Sequence, residues 1–481
     1  MRIFTKTFWV LVVVSCLIGF SRVEMAWASD DLRQMILELK KELEEVKREN
    51  AALRREVEKL KGQTAAPAPA EALITAPSKK KHSFFTKGGY GSSPSAIDFY
   101  GFFKIDAVWQ DASAVGDIYV LYVRPKDKNS SATINFRHSR FGFNFLKPYE
   151  TWKLFGKMEM DFYTDSHGED TLPWNPNHSP VRARRVFLGV EKDNWQLLAG
   201  LDWLTISQLY PHLSNFPSGT FMGNPGYRMP QIRLSRWFKV GQDTLRLQVA
   251  LEKPYAFPKD NSIVMDEDPS NKTGIPGVEG RVAYESRLFG KPAMVALWGH
   301  YSQEEYAVNS GGDEKADSYS VGLEAKIPLP VARKAFLLGE LWYGRNFDGY
   351  YSAGVNQGTR FYTINNNKGT KRYVTRLDKL ETGEEIISVD EIDAVGGYIE
   401  LEVFWSPKLV THLGWGIDNP DNDDLSGVDG ARLQQQMYYA NFLYRVTKEF
   451  ALGAEYMYIK ADYHTSDGEL NRLSGSFYYF F

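Results

Sequence analysis

Apolar and polar side chains alternate with a period of two through most of the chain after residue 97. In IDFYGFFKIDAVWQ, Phe103 and Ile105 lie on one face of the predicted strand, and Lys104 and Asp106 lie on the other. The segments FGFNF and YYANFLYRV repeat this division. Strands of this kind place one face in an apolar medium and leave the other to water. The alternation therefore predicts a sheet that separates two environments.

The connections between these segments fall into two classes. Seven are tight turns, near residues 147, 193, 241, 290, 329, 407 and 448. Eight are longer polar stretches, near 112–133, 165–179, 208–230, 255–276, 309–316, 347–388, 421–431 and 465–468. Turns and loops in alternation predict an all-β transmembrane barrel of about 16 antiparallel strands. Two alternatives stay open, a strand number that differs by two and a hairpin hidden within 347–388.

The chain ends in GSFYYFF, whereas a C-terminus that faces water is usually polar. Phe477, Tyr479 and Phe481 share one face of a strand with Leu473. Because a closed barrel has no free edge, this last strand is expected to face lipid and to pair with the first strand near Phe99.

Composition and motifs exclude several other classes of protein. Aromatic residues make up 14% of the chain, the mean hydropathy is −0.38, and no apolar run after the N-terminal one could span a membrane as a helix. The net charge of −3 does not indicate a basic protein that binds nucleic acid. No HExxH, GxSxG, P-loop or CxxC pattern is present, and the eight histidines are scattered. The sequence predicts no enzyme, no cofactor and no metal site.

The first 28 residues have the pattern of a secretory signal peptide. Arg2 and Lys6 precede an apolar run over 8–20, and AWA at 26–28 supplies small residues before the cleavage point. An uncleaved membrane anchor is one alternative, and lipoprotein processing at Cys16 is another. All three interpretations imply export.

Residues 30–61 carry an unbroken heptad pattern. The predicted core positions are Ile36, Leu39, Leu43, Val46, Asn50, Leu53 and Val57. Acidic side chains at g and basic side chains at e favour a short parallel coiled-coil helix that oligomerises the chain, as a dimer or a trimer. A single solvated helix is the alternative. The Ala/Pro-rich stretch 62–95 is predicted to be an extended linker, and 96–481 to be the barrel.

Four motifs in order resemble the trimeric Gram-negative outer-membrane porin family. They are DFYGFFK, HSRFGFNF, RRVFLGVE and GYRMP, and the resemblance implies that they place Lys104, Arg140, Arg185 and Arg228 on the pore wall. It also implies that the final strand, with Phe477, Tyr479 and Phe481, is recognised by the barrel-assembly machinery. The N-terminal coil resembles that of the DcaP-like subgroup, which is similar to dicarboxylate-uptake trimers.

In this family the third loop narrows the pore, and the matching stretch here is 208–230. It includes His212, Asn215, Phe216 and Pro217, and it contains no Asp or Glu, although general porins usually carry acidic residues there. By alternation Arg233 also points inward, whereas the parity of Arg182 and Arg184 is ambiguous.

These residues predict a positively charged constriction, which favours anions. The alternative is that the wall arginines are neutralised by Asp106, Glu159 and Asp161.

The resemblance implies an outer-membrane porin for passive diffusion of small anionic, carboxylate-type solutes, with its coil in the periplasm. The expected partners are two further copies in a homotrimer, outer-membrane lipids and lipopolysaccharide, the barrel-assembly machinery, and peptidoglycan as a further candidate for the coil. The alternative function is a secreted or surface-attached β-rich carbohydrate-binding protein or adhesin, oligomerised by the same coil.

Overall fold

The computed structural model describes residues 83–86 and 95–481, apart from several short stretches. The stretches not described are 116–119, 121, 126–127, 163–178, 215–222, 254–268, 310, 332, 351–357, 376–379, 382, 429 and 465. The signal segment, the heptad residues from Ile36 to Val57 and most of the predicted linker lie outside the described residues.

The described residues contain 23 strands, numbered in chain order. They are β1 (Ser83–Thr86), β2 (Ser95–Gln110), β3 (Ala114–Val115), β4 (Tyr122–Val123), β5 (Ser131–Asn135), β6 (Arg140–Pro148), β7 (Lys153–Asp161), β8 (Arg182–Lys192), β9 (Trp195–Trp203), β10 (Arg228–Val240), β11 (Asp243–Glu252), β12 (Gly277–Leu288), β13 (Lys291–Ala307), β14 (Asp313–Pro328), β15 (Lys334–Arg345), β16 (Thr359–Asn365), β17 (Thr370–Val374), β18 (Glu384–Glu391), β19 (Asp393–Phe404), β20 (Leu409–Pro420), β21 (Arg432–Arg445), β22 (Phe450–Tyr463) and β23 (Asp467–Phe480). A single helical turn, α1 (Pro269–Lys272), and a 3₁₀ turn, Asp348–Tyr350, lie in loops.

Within the described chain, sixteen of these strands form one closed antiparallel barrel: β2, β6 to β15 and β19 to β23. Closure occurs at β2, which pairs with β6 along one edge and with β23 along the other. The predicted strand number and the pairing of the last strand with the first are confirmed. Because every strand has two neighbours, no backbone edge of the barrel is left to face lipid.

The terminal aromatic residue completes this seam. The backbone N–H of Phe481 donates to the carbonyl of Gly101 at 3.1 Å, and the N–H of Gly101 donates back at 3.1 Å. The Phe481 ring stacks on Phe99 at 5.2 Å and lies 5.3 Å from Phe103. The aromatic C-terminus is therefore the outer surface of the closing strand.

Two details of the seam differ from the sequence prediction. Within the stretch predicted to be a linker, β1 forms and pairs with the first residues of β2, on the edge that β23 occupies further along. The second barrel strand is preceded by a separate piece, β5, which pairs with β2 beyond an interruption. At that interruption the N–H of Lys104 donates to the hydroxyl of Ser139 at 2.9 Å, so a side-chain oxygen takes the place of a backbone carbonyl.

The two faces of the barrel differ in polarity. Outward side chains such as Ile105, Leu473 and Phe477 are large, apolar and exposed, whereas the inward face carries buried charged residues such as Lys104 and Asp106. An exposed apolar band with a polar interior is the arrangement of a membrane-spanning barrel. It does not suit the secreted, water-soluble alternative, because the apolar band would then face water.

Among the described residues, no helix is long and apolar enough to cross a membrane.

The loop 347–388 contains structure of its own. Strands β16, β17 and β18 form a separate three-stranded sheet that does not belong to the barrel. The open question of a hidden hairpin is thereby answered: the loop holds one, and the barrel still has sixteen strands.

We expect Gly101→Val to impair closure. A Cβ at Gly101 would lie 2.4 Å from the carbonyl oxygen of Arg140 and 2.7 Å from the Phe481 ring, so the seam would have to open. Overpacking of this kind destabilises by about 1–3 kcal/mol. Heat-modifiable migration on SDS gels should show a smaller folded fraction.

Gly475→Val is the matched control, because a Cβ there meets nothing within 4 Å. Equal folding of the two variants would contradict the close approach at the seam.

Candidate pore constriction

The loop between β9 and β10, residues 204–227, folds into the barrel, and we call it the inserted loop. Its described parts are 204–214 and 223–227. Leu204, Ile206 and Leu213 are buried in it, and its two ends are joined by the N–H of Leu204, which donates to the carbonyl of Tyr227 at 3.0 Å. Of the predicted constriction residues, His212 lies on this loop, and Asn215, Phe216 and Pro217 lie outside the described residues.

A row of wall glutamates holds the inserted loop, and we call it the glutamate row. Its members are Glu279 on β12, Glu324 on β14, Glu340 on β15, Glu400 on β19 and Glu455 on β22. Four of them accept from loop backbone N–H groups: Glu279 from Thr205 at 2.6 Å, Glu324 from Leu209 at 2.8 Å, Glu400 from His212 at 2.7 Å and Glu455 from Ser214 at 2.6 Å. Glu340 accepts from the hydroxyl of Ser207 and the amide of Asn224, both at 2.8 Å.

Irregular backbone inside a barrel has unpaired N–H groups, and burying them without a partner is unfavourable. The inserted loop has no carboxylate of its own, so the wall supplies the acceptors. Hydrogen bonds to ionised acceptors are also the stronger ones. The acids that the sequence analysis did not find in the loop are therefore present behind it, where four of the five accept from its backbone.

The far end of the described loop reaches β2. The Lys104 ammonium donates to the carbonyl of Ser214, lies 3.1 Å from Asp106 Oδ1 and 3.0 Å from His138 Nδ1, and is fully buried. Lys104 thus lies on the inward face but is enclosed by the loop, where it serves as an anchor.

The loop also carries a buried phenol. Tyr210 packs against Trp203 with ring centroids 4.7 Å apart. Burial, and then the charge of Glu324, raise the pKa of the Tyr210 phenol well above its ordinary value, so this side chain stays neutral.

The remaining wall, formed by β6 to β10, carries a group that we call the arginine cluster. Its members are Arg140, Arg182, Arg184, Arg185, Arg228 and Arg233. A β-bulge explains how three of them come together on one strand. Glu159 pairs with Arg185 but Met160 pairs with Ala183, so Arg184 is an extra residue in β8. Because a bulge re-aims side chains, the neighbouring residues Arg184 and Arg185 both reach carboxylates on the inward face.

Three carboxylates are shared among these arginines. Glu159 lies 3.7 Å from Arg140 and 3.1 Å from Arg184. Asp161 lies 2.9 Å from Arg182 and 2.6 Å from Arg184. Asp202 lies 2.6 Å from Arg185 and 2.8 Å from Arg233, and Arg228 lies 4.6 Å over the ring of Trp203. The sequence left open whether acidic partners neutralise the basic wall residues. Such ion pairs are present between Lys104 and Asp106, and between the arginines and Glu159 and Asp161.

Among its described residues, the arginine cluster has more positive than negative groups. Among the described residues of the cluster, six arginines face three carboxylates, an excess of three positive charges. The side chains of Arg140, Arg182 and Arg185 are 16%, 30% and 15% exposed, whereas those of their carboxylate partners are 6% exposed or less. In this cluster the arginine side chains are thus partly exposed, whereas the carboxylates are buried.

The outer membrane channel DcaP of Acinetobacter baumannii matches with a TM-score of 0.59 and 18% identity, covering 83% of this chain and 99% of that one. The chain has the fold of an outer-membrane porin. The suspected resemblance to this family, DcaP-like members included, is confirmed as a likeness of fold.

More distant likenesses are to an anion-selective porin from Comamonas acidovorans and to OmpF of Salmonella typhi in complex with daunomycin. Their TM-scores are 0.49 and 0.48, with 12% and 13% identity; each covers 80% of this chain, and 100% and 98% of the other chain. These scores are too low to support an argument. No protein-family model and no curated protein sequence matches the chain.

Sequence reasoning missed two parts of this porin-fold site. Asp202 and the glutamate row were not singled out, although each of these glutamates has the inward parity of its strand. The sequence shows that these residues alternate with outward residues along each strand. Because polar inward residues are common on barrel strands, nothing in the sequence distinguishes those that anchor the loop. Arg182 and Arg184 could not be assigned to a face because the bulge has no sequence signature.

We expect Glu455→Ala to loosen the inserted loop. Glu455 accepts from the N–H of Ser214 and, at 2.9 Å, from the amide of Asn441. Losing these bonds should weaken loop docking by about 1–3 kcal/mol. Larger open-channel current fluctuations in single-channel recordings would report it. Glu469→Ala, at an exposed position on β23, should leave the recordings unchanged, and equal noise in both variants would contradict the anchoring role.

Proposed function

We propose that this protein is an outer-membrane porin that conducts small anionic solutes, carboxylates among them, by passive diffusion. The supporting observation is the division of charge inside the barrel. The carboxylates of the glutamate row accept hydrogen bonds from the inserted loop, whereas the arginine cluster has partly exposed arginine side chains.

The loop and the cluster cover different parts of the wall. The loop contacts run from Glu279 on β12 around to Lys104 on β2, and the cluster occupies β6 to β10. A solute that passes between them would have the loop on one side and arginine side chains on the other. A positive lining with low-dielectric walls concentrates anions.

Arginine suits this role chemically. Its planar guanidinium keeps its charge and binds carboxylate or phosphate oxygens with two parallel bonds. We assign solute contact to Arg140, Arg182 and Arg185, whose side chains are the exposed ones, and positioning to the more enclosed Arg184 and Arg233. Arg228 lies at the start of β10 over Trp203 and completes the lining. Lys104 is left out of the solute contacts because its ammonium is buried.

Reversal potential under a KCl gradient in planar bilayers tests the selectivity. We expect anion preference for the wild-type protein, and a fall in the anion-to-cation permeability ratio of about twofold or more for Arg140→Ala and Arg185→Ala. Each substitution removes one positive charge without orphaning a carboxylate, since Glu159 keeps Arg184 and Asp202 keeps Arg233.

Arg246→Ala is the matched control. Arg246 is an inward arginine on β11, 19% exposed, paired with Glu285 at 3.0 Å and outside the cluster. Arg246→Ala should change the anion-to-cation permeability ratio little. Cation preference in the wild-type protein would overturn the anion proposal and leave the channel proposal intact, whereas a folded protein without channel activity would overturn both.

We further propose a homotrimer in the outer membrane, with residues 30–61 forming a parallel coiled coil in the periplasm and 62–95 linking it to the barrel. The heptad pattern and the likeness of fold support this assembly. In the same proposal, lipopolysaccharide and lipid cover the outer band, the barrel-assembly machinery reads the terminal strand with Phe477, Tyr479 and Phe481, and peptidoglycan is a candidate partner of the coil.

Deleting residues 30–61 tests the coil. We expect native mass spectrometry to find trimers of the full chain and a larger fraction of monomers for the shortened chain. Trimers of undiminished stability would show that the barrel alone determines the assembly.

A further inference from the structure

A second group of side chains lies where the inserted loop meets the wall, away from the arginine cluster. His212 belongs to the loop, Glu402 to β19 and His412 to β20. One nitrogen of each histidine and one carboxylate oxygen of Glu402 all lie within 4.8 Å of one another. The two imidazole rings are stacked, with centroids 4.7 Å apart.

The hydrogen bonds fix the tautomer of the loop histidine. His212 Nδ1 lies 2.6 Å from Oε1 of Glu400, which as a carboxylate oxygen can only accept. Nδ1 therefore carries the proton. In the neutral imidazole, the lone pair of Nε2 is then directed toward Glu402.

The tautomer of the wall histidine follows from the amide beside it. Asn441 donates through Nδ2 to the carbonyl of His212 at 2.6 Å and to Glu455 at 2.9 Å, so its Oδ1 is the acceptor. His412 Nδ1 lies 2.7 Å from that oxygen and must donate to it. In the neutral imidazole the Nε2 of His412 thus also presents a lone pair, and among the described residues it has no hydrogen-bond partner.

The third atom is equally unsatisfied. Lys326 lies 2.8 Å from Glu402 Oε2, whereas Glu402 Oε1 is buried without a hydrogen bond to any described residue. Oε1 lies 3.9 Å from His212 Nε2 and 3.8 Å from His412 Nε2, too far for a hydrogen bond. Two imidazole nitrogens and one carboxylate oxygen thus lie close together, and no hydrogen bond among the described residues joins them.

The geometry points to a transition-metal site, and we propose that His212, Glu402 and His412 bind Zn²⁺. Two imidazoles and one carboxylate with a fourth position for water form a common zinc ligand set. Bond lengths of about 2.0–2.2 Å require ligand atoms roughly 3.4 Å apart in a tetrahedron, so the three atoms need only close in by about 1.5 Å or less. Calcium and magnesium prefer all-oxygen ligand sets and are disfavoured.

The surroundings have the features of a metal site beyond its ligands. Zinc-binding histidines donate their other N–H to a carboxylate or carbonyl oxygen, which orients the ring. Glu400 does this for His212, and Asn441 does it for His412. His212 is 14% exposed, which leaves the site accessible from the lumen.

Because one ligand belongs to the inserted loop and two belong to the wall, the metal would fasten the loop to the wall. This inference does not depend on which solute the channel conducts. It predicts that zinc reduces the movement of the loop at the constriction.

His300 offers a matched control. It is buried on the inward face of β13, but both of its nitrogens are hydrogen-bonded, to Ser320 at 2.5 Å and to Ser318 at 3.0 Å. It has no lone pair to offer a metal.

The test uses the full chain, purified in detergent and stripped with EDTA, and titrated with Zn²⁺ alone by calorimetry at pH 7.5. We expect one zinc per chain for the wild-type protein and for His300→Gln, and loss of that stoichiometric binding for His212→Gln and His412→Gln. Asn441→Ala should weaken zinc affinity by about 10- to 100-fold. Heat-modifiable migration on SDS gels checks that each variant is folded. If the wall variant His412→Gln fails to fold, zinc binding by the loop variant His212→Gln alone tests the site.

Absence of stoichiometric zinc in the wild-type protein would overturn the site, as would zinc retained by both histidine variants. A Co²⁺-loaded sample should show the visible absorption of tetrahedral cobalt. Zinc should also lower open-channel noise in the wild-type protein but not in His212→Gln. Stoichiometric zinc without a change in noise would overturn the fastening role.

Discussion

Backbone polar groups that face lipid or are buried inside the barrel must find partners within the protein, because no water reaches them there. The barrel meets this requirement by closing on itself, with β2 shared between β6 and β23. The inserted loop cannot meet it by the same means, since it has no neighbouring strand. The glutamate row provides its acceptors, so the loop depends on the register of strands as far apart as β12 and β22.

This dependence changes how charge in the lumen should be counted. A carboxyl group that accepts hydrogen bonds from the inserted loop is removed from the surface that a solute meets. Five of the six arginines share three carboxylates, and several of them remain partly exposed. The net charge of the lumen is therefore a poor guide to its selectivity, and the exposed charge is the better one. A loop without acidic residues that packs against an acidic wall removes the carboxyl groups of that wall from the surface of the lumen.

The sequence predicted the parts of the fold that depend on period and spacing. Alternation assigned Ile105 and Phe477 to the outer face, and the two classes of connection gave sixteen strands. It could not predict β1, because four residues within an Ala/Pro-rich stretch carry too little pattern. It also could not predict the bulge at Arg184, because a bulge is a local choice between two registers of similar energy.

The site was less predictable than the fold, and the reason is loop placement. His212 and His412 lie 200 positions apart in the sequence, and no spacing rule connects them. They meet only because the loop crosses the lumen and is held at Glu400, two residues before Glu402 on the same face of β19. The period-two geometry of one strand thus sets both the anchor of the loop and the third ligand beside it. Once the loop is anchored there, His212 has no freedom to avoid His412, and the same hydrogen bonds that satisfy its backbone also orient its imidazole.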